Sequence, residues 1–183
     1  TEDRVNDVLD RGEGKGVVAD CQMDIYDRAG NPLATLHSYH YHSAFGGFGG
    51  PAFKAPKQPF PDRPADIEVT EYMPDNLAVL YRLTGDTNRV HIDPRMAEDF
   101  GYEMPFMQGL CTYGFVTRML IQAEIPFAPE KVKHVYAQMR AVCYPGQDMK
   151  LLAWKLEEGT LIFQLKDATG RLILGNGIFE YEI

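Results

Sequence analysis

Between Val135 and Cys143 the chain alternates: Val135, Ala137, Met139, Ala141 and Cys143 are separated by Tyr136, Gln138, Arg140 and Val142. Successive side chains on a strand point to opposite faces, so this period of two predicts a strand over 135–143 with one face on a core. Pro145-Gly146 then turns the chain, and residues 151–156, 161–165 and 172–181 supply further apolar strands, with Glu158-Gly159 and Thr169-Gly170 as turn signals. Trp154 falls in the first of these and is expected in sheet packing. Over 104–124 the pattern changes. Leu110, Tyr113, Thr117, Leu120, Ile121 and Glu124 mark one side of a helix, while Phe115, Val116 and Met119 make the other side apolar too. A helix that is greasy nearly all round is a buried one, entered here through a loop ending at Gly109. Upstream, Pro74 can open a helix carrying Leu77, Leu80 and Tyr81, stopped by Gly85, and Asp93-Pro94 opens a second, ending at Gly101. The first third reads as two strands, 16–26 and 33–45, around the turn Ala29-Gly30-Asn31-Pro32. A glycine run over 45–51 then breaks regular structure. The expected organisation is 1–50, a Pro-rich linker over 51–65, and a second domain over 66–183.

Between the two short helices lie Asp86, Asn88 and His91. A carboxylate and an imidazole suit proton transfer near neutral pH, and an amide between them can position a water or a carbonyl. A spacing of five separates Asp86 and His91 around a regular helix, so they converge only on a bent loop. Asp and Asn here are also ordinary turn formers, which bond their own backbone. Gly109, at the start of the buried helix, sits where amide N–H groups lack intrahelical partners and can stabilise an oxyanion. The competing account of Gly109 is a close backbone contact.

Other patterns are less productive. The glycine run has neither dinucleotide spacing nor the Gly-Lys-Ser/Thr ending of a phosphate loop. His37, His40 and His42 are dense in good ligands, but on a strand His37 points away from the other two; an exposed strand face is expected, and no metal site. A net charge of −8 disfavours nucleic acid as a partner but allows a local cation cluster for phosphates, with Lys54, Lys57, Arg63, Arg89 and Arg118 as candidates. At 183 residues and 45% hydrophobic content the chain can bury one sizeable core. No apolar run approaches membrane-spanning length, so no membrane is expected as a partner. Cys21, Cys111 and Cys143 are scattered and odd in number, which favours a reducing compartment over a disulfide framework. The chain begins at Thr1 without methionine, and the expectation is a fragment or processed form whose N-terminus could have carried an address. Neither a secretory leader nor a C-terminal peroxisomal tripeptide is visible.

The two informative segments together resemble the MaoC-like (R)-specific enoyl-CoA hydratases, including the hydratase portion of peroxisomal multifunctional enzymes. Tyr81, Gly85, Asp86, Asn88, His91 and Ala97 match the signature in register, and Pro105, Gly109, Leu110 and Cys111 match the block before the central helix. Similarity continues from Tyr144-Pro145-Gly146-Gln147 to the C-terminus, strongest over the last two thirds. Arg89 and Gln108 depart from the usual Pro and His. The resemblance implies an α+β hot-dog fold, an antiparallel sheet wrapped around the helix from Gly109 to about Ile125, preceded by strands of an incomplete first hot-dog repeat. It implies a homodimer and reversible hydration of a trans-2-enoyl-CoA to a (3R)-3-hydroxyacyl-CoA in fatty-acid metabolism. Asp86 and His91 would hold the water, Asn88 would orient the pair, and Gly109 would stabilise the enolate-like oxygen. Arg89, Gln108 and Leu110 are the expected substrate contacts. No cofactor is expected, since the thioester supplies the electron sink and CoA belongs to the acyl-CoA substrate. The expected compartment is peroxisomal in a eukaryote and cytoplasmic otherwise. Alternatives on the same scaffold are an acyl-CoA thioesterase, a non-catalytic acyl-CoA-binding module, and a hydratase of branched or dicarboxylic substrates for which Arg89 would matter.

Overall fold

The strands form two separate antiparallel sheets, one in each of two units, Thr1–Pro56 and Lys57–Ile183. The computed structural model describes residues 1–55 and 57–183. In the first unit β1 (Glu2–Asp10), β2 (Val17–Tyr26) and β3 (Pro32–His42) are ordered β1-β2-β3. The sequence reading missed β1, because acidic residues interrupt its alternation and a bulge between Val5 and Asp7 shifts its register. His37, His40 and His42 are exposed on β3, and His40 meets Ser38 Oγ at 2.9 Å.

The glycine run has a definite job here. The buried Asp10 carboxylate accepts the N–H groups of Gly12, Gly47 and Gly49, each at 2.8 Å. These amide bonds hold its pKa below the usual carboxylate value. Gly46 has φ +132° and a Cβ there would lie 2.6 Å from the Gly12 carbonyl oxygen, so the run must be glycine to fold onto the carboxylate. It is an anion cradle whose anion is the chain's own side chain.

The second unit holds β4 (Ile67–Met73), α1 (Leu77–Arg82), α2 (Pro94–Asp99), α3 (Gly109–Glu124), β5 (Val132–Met139), β6 (Gln147–Glu157), β7 (Thr160–Lys166) and β8 (Leu172–Tyr181). Its sheet runs β4-β6-β7-β8-β5, all neighbours antiparallel. Cys111, Phe115, Val116, Met119 and Leu120 of α3 are buried in one cluster with Leu151, Phe163, Leu165, Ile173 and Phe179 of the sheet. The sheet covers this one face of α3, while Leu110, Gly114, Gln122 and Ala123 are exposed, so the helix is buried on one side and not nearly all round as its apolar pattern predicts.

Several elements differ from the sequence reading: β3 ends at His42 and not at 45, and α1 begins at Leu77 and not at Pro74. β4 was not anticipated, although Ile67, Val69 and Glu71 are its half-buried positions and Glu68, Thr70 and Tyr72 its exposed ones. Its pairing with residues 147–153 starts β6 at Gln147, earlier than the apolar run at 151. β5 covers 132–139 and not 135–143. Beyond Met139 the apolar alternation continues because Ala141 and Cys143 still pack on the core, while the Cys143 carbonyl accepts the Met107 N–H at 2.7 Å.

The Pro-rich passage is divided between the units. Ala52 bridges to Asp10 and Phe53 stacks on Tyr39 in the first. In the second, Phe60 packs edge-on against Trp154 at 5.3 Å, and the Trp154 indole donates to the Arg63 carbonyl at 3.0 Å. Arg63 in turn grips Asp66 through two bonds, at 2.7 and 2.8 Å, and with the Lys155 N–H this lowers the Asp66 pKa to about 2. Trp154 thus docks an arriving segment as well as packing the sheet.

Candidate active site

α1 stops at Arg82, and a turn through Leu83 and Thr84 reaches Gly85, whose φ of +115° a side-chain-bearing residue would rarely adopt. The chain then enters a series of short self-bonds. Asp86 Oδ1 accepts the Asn88 N–H at 2.9 Å, and Asn88 Oδ1 accepts the Val90 N–H at 3.2 Å. Val90 is buried and anchors a 3-10 turn, Arg89–His91. Asp93 caps α2 by accepting from Arg95 N–H at 3.1 Å, with Pro94 at the first position, as the sequence predicts. The turn chemistry proposed as the bland alternative is therefore present. It is also what presents Asp86 and His91, both half-buried, from a bent loop.

His91 is tied to the loop before α3. Its Nδ1 lies 2.8 Å from the Phe106 carbonyl oxygen, and the ring meets the Phe106 ring edge-on at 5.0 Å. A carbonyl can only accept, so Nδ1 carries the proton and Nε2 of the neutral ring is left as an acceptor. Gln108, 2% exposed, makes the second tie: its Nε2 donates to the Ala78 carbonyl of α1 at 3.1 Å. These two bonds fix α1 and the His91 turn against the start of α3. Tyr81 reports the same proximity, because burial first, then the charges of Cys111 and Asp86, raise its phenol above the ordinary value.

Gln108 is also the N-cap of α3, yet no side chain caps the helix. The first amides are left for another acceptor at the positive end of the macrodipole. Gly109, Phe106, Thr112, Met139, Arg140 and Val142 border a cavity of about 320 Å³ at this end. Asp86, Asn88 and His91 are not among the cavity's lining residues; His91 reaches it through Phe106.

The remaining candidates are placed as follows. Arg89 is bound to Asp93, which removes much of the fixed positive charge expected beside the site. Leu110 is 63% exposed, and Gln108 is a buried clamp whose Oε1 has no partner among the described residues. Arg118 is paired with Glu71. Cys111 and Cys143 lie in the core cluster, where burial raises the Cys111 thiol and pushes Cys143 up to about 11. The sequence reading missed Phe106 as the partner of His91, since a backbone carbonyl has no sequence signature. It also missed Arg140, which stood in the alternation as one polar position among several.

Among the described residues a Cβ at Gly109 would meet only the Met139 side chain, Cε at 3.3 Å and Sδ at 3.9 Å, which is flexible, and no backbone neighbour. Gly109→Ala should therefore leave the melting temperature nearly unchanged, within about 0.5 kcal/mol of stability. It should lower kcat/KM about tenfold by crowding a ligand oxygen beside an N–H that the alanine retains, which steady-state kinetics beside a thermal melt will read.

An antiparallel sheet wrapped around one long helix, with the Asp86–His91 turn tied to the uncapped start of that helix, is a hot-dog fold. Residues 53–176 match the family model for the MaoC like domain, and the chain belongs to that family. It is 30% identical over 182 residues to "Probable enoyl-CoA hydratase 2" of Dictyostelium discoideum, covering 97% of this chain and 62% of that protein. It is 34% identical to "Peroxisomal multifunctional enzyme type 2" of Mus musculus, over 96% of this chain and 24% of the mouse protein. The crystal structure of a MaoC-like dehydratase from Phytophthora capsici superposes with a TM-score of 0.90 at 28% identity, over 98% of this chain and 61% of that one. The chain thus spans under two thirds of the length of each of these relatives.

Proposed function

We propose that this chain carries out reversible hydration of a trans-2-enoyl-CoA to a 3-hydroxyacyl-CoA, with the 3R product that the family resemblance implies. The observation that carries the reading is the His91 bond to the Phe106 carbonyl, which sets the ring tautomer and ties it to the loop that leads into Gly109. The relatives' names, two of them hydratase or dehydratase, support the reaction class.

The steps follow from the residues. Nε2 of neutral His91 takes one proton from a water that the ionised Asp86 orients. The water oxygen bonds to C3 of the substrate, and the C2=C3 electron pair moves through the conjugated thioester onto its oxygen. That enolate-like oxygen is met by the Gly109 N–H and the α3 dipole, an interaction on the scale of about 3 kcal/mol for one oxyanion donor. C2 then receives the proton held by the pair, so the two hydrogens of water end on the new hydroxyl and on C2. Asn88 holds the turn through Val90 N–H and keeps Asp86 and His91 in register. The chemistry draws on the thioester as its electron sink and calls for no further cofactor.

The reading includes a homodimer, for which the terminal position of β5 in its sheet is the supporting feature. A reducing compartment fits three free cysteines, and the mouse relative's name makes the peroxisome the compartment to test first. Among the described residues no helix is long and apolar enough to cross a membrane.

The test is incubation with crotonyl-CoA, following the conjugated thioester absorbance and free thiol together. Loss of absorbance without thiol release is expected. Thiol release would make the chain a thioesterase, and binding without either change would make it an acyl-CoA-binding module.

A further inference from the structure

Most arginines of the second unit that face a neighbour are neutralised: Arg63 holds Asp66 at 2.7 Å, Arg118 holds Glu71 at 2.7 Å, and Arg171 holds Asp167 at 3.0 Å. Arg89 is likewise paired with Asp93. Among the described residues no carboxylate pairs with Arg140, Arg82 or Arg95, and of these three Arg140 is the one that borders the cavity at Gly109; its exposed side chain makes one long contact, 3.5 Å from Nη1 to Gln138 Oε1. Gln138 is itself held by Asn176, whose Nδ2 donates to the same oxygen at 2.8 Å. A neutral amide thus steadies the guanidinium without cancelling its charge.

The stem of Arg140 is also placed. Its N–H donates to the Ile173 carbonyl at 2.8 Å, and its Cγ lies where a Cβ at Gly175 would meet it at 3.2 Å, so the missing side chain of Gly175 makes room for the stem. From there Arg140 borders the same cavity as Gly109, whose other walls include Phe106, Met139 and Val142. In a chain of net charge −8, an unpaired arginine on an apolar cavity is a cation kept for a ligand.

We infer that Arg140 anchors anionic oxygens of the substrate at the cavity bordered by Gly109. The inference rests on the enoyl-CoA reading, and it replaces Arg89, Arg63 and Arg118 as the cation for this task. The anionic oxygens belong to a phosphate of CoA or to a carboxylate on the acyl chain. Arg140 is a binding and positioning residue with no part in proton transfer, so its loss acts on affinity more than on turnover.

The experiment compares wild type with Arg140→Gln, Arg140→Lys and, as a control for loss of any exposed cation, Arg95→Gln on α2. Calorimetric Kd values are measured for butyryl-CoA, glutaryl-CoA and butyryl-pantetheine, and kcat and KM for crotonyl-CoA, with a thermal melt of each variant. Arg140→Gln should weaken binding about tenfold to a hundredfold, the worth of a charge-assisted hydrogen bond. Arg140→Lys should recover part of it, kcat should stay within about twofold, and Arg95→Gln should match wild type. A loss for both CoA ligands that is absent with butyryl-pantetheine assigns the phosphate; a loss confined to glutaryl-CoA assigns the acyl carboxylate. Unchanged Kd for all three in a folded Arg140→Gln protein overturns the inference. Because binding is read apart from turnover, a wild type that binds these ligands but fails to hydrate crotonyl-CoA would count against the hydratase reading and leave the Arg140 result intact.

Discussion

Asp86→Asn is expected to lower kcat for enoyl-CoA hydration by about a hundredfold to ten-thousandfold, the range that one positioned acid/base group contributes. The substitution isolates charge from fold. Asp86 serves the turn through Oδ1, which accepts the Asn88 N–H, and an asparagine at that position keeps an Oδ1 that can do the same. What disappears is the negative charge that orients the water and stabilises a protonated His91. The melting temperature should stay within about 2 °C of wild type, as for a half-exposed surface substitution. The measurement is kcat and KM on crotonyl-CoA with a parallel melt. Wild-type turnover in a folded Asp86→Asn protein would remove Asp86 from the mechanism and return it to turn formation.

His91→Gln should produce a loss of similar size by a different route. Glutamine carries an amide N–H that can replace Nδ1–H as donor to the Phe106 carbonyl, but it has no basic nitrogen to take a proton from water. Turnover should fall about a hundredfold or more while KM changes little, since the group acts on the transition state and not on substrate binding. His91→Ala removes the base and the tie together. It should add a stability loss of about 1 kcal/mol from the unpaired carbonyl and the lost ring contact with Phe106. If the two variants lose only affinity, His91 holds the entry loop of α3 and does no chemistry.

The residues that carry most of this account were readable in the chain because they depend on local chemistry. Asp93-Pro94 announces a capped helix whatever surrounds it, and Gly85 announces a left-handed stop; both are found. The largely apolar stretch of α3 foretold a core helix, but not that only the face of Cys111, Phe115, Val116, Met119 and Leu120 is buried, because which side the sheet covers is a matter of packing. β1 and β4 were hidden for the opposite reason. Their residues are half acidic or exposed, and they are strands because β2 and β6 offer them a ladder. The glycine run was read only as a break, since its purpose lies in Asp10, some 37 residues away along the chain. At the site, the turn holding Asp86, Asn88 and His91 could be anticipated from spacing. The bonds that tie it to α3 use the carbonyls of Phe106 and Ala78, which every residue possesses and no pattern marks. Arg140 shows a related blind spot: an arginine is informative only once its lack of a carboxylate is known, and that is a fact of packing.

In the proposed mechanism the Asp86–His91 turn and the start of α3 together add water across an enoyl thioester on one face. Its most direct test is chiral analysis of the product formed from crotonyl-CoA by the wild-type chain, run beside Asp86→Asn. Wild type should form (3R)-3-hydroxybutyryl-CoA and the variant almost none. A 3S product, or 3R product formed equally well by both proteins, would contradict it.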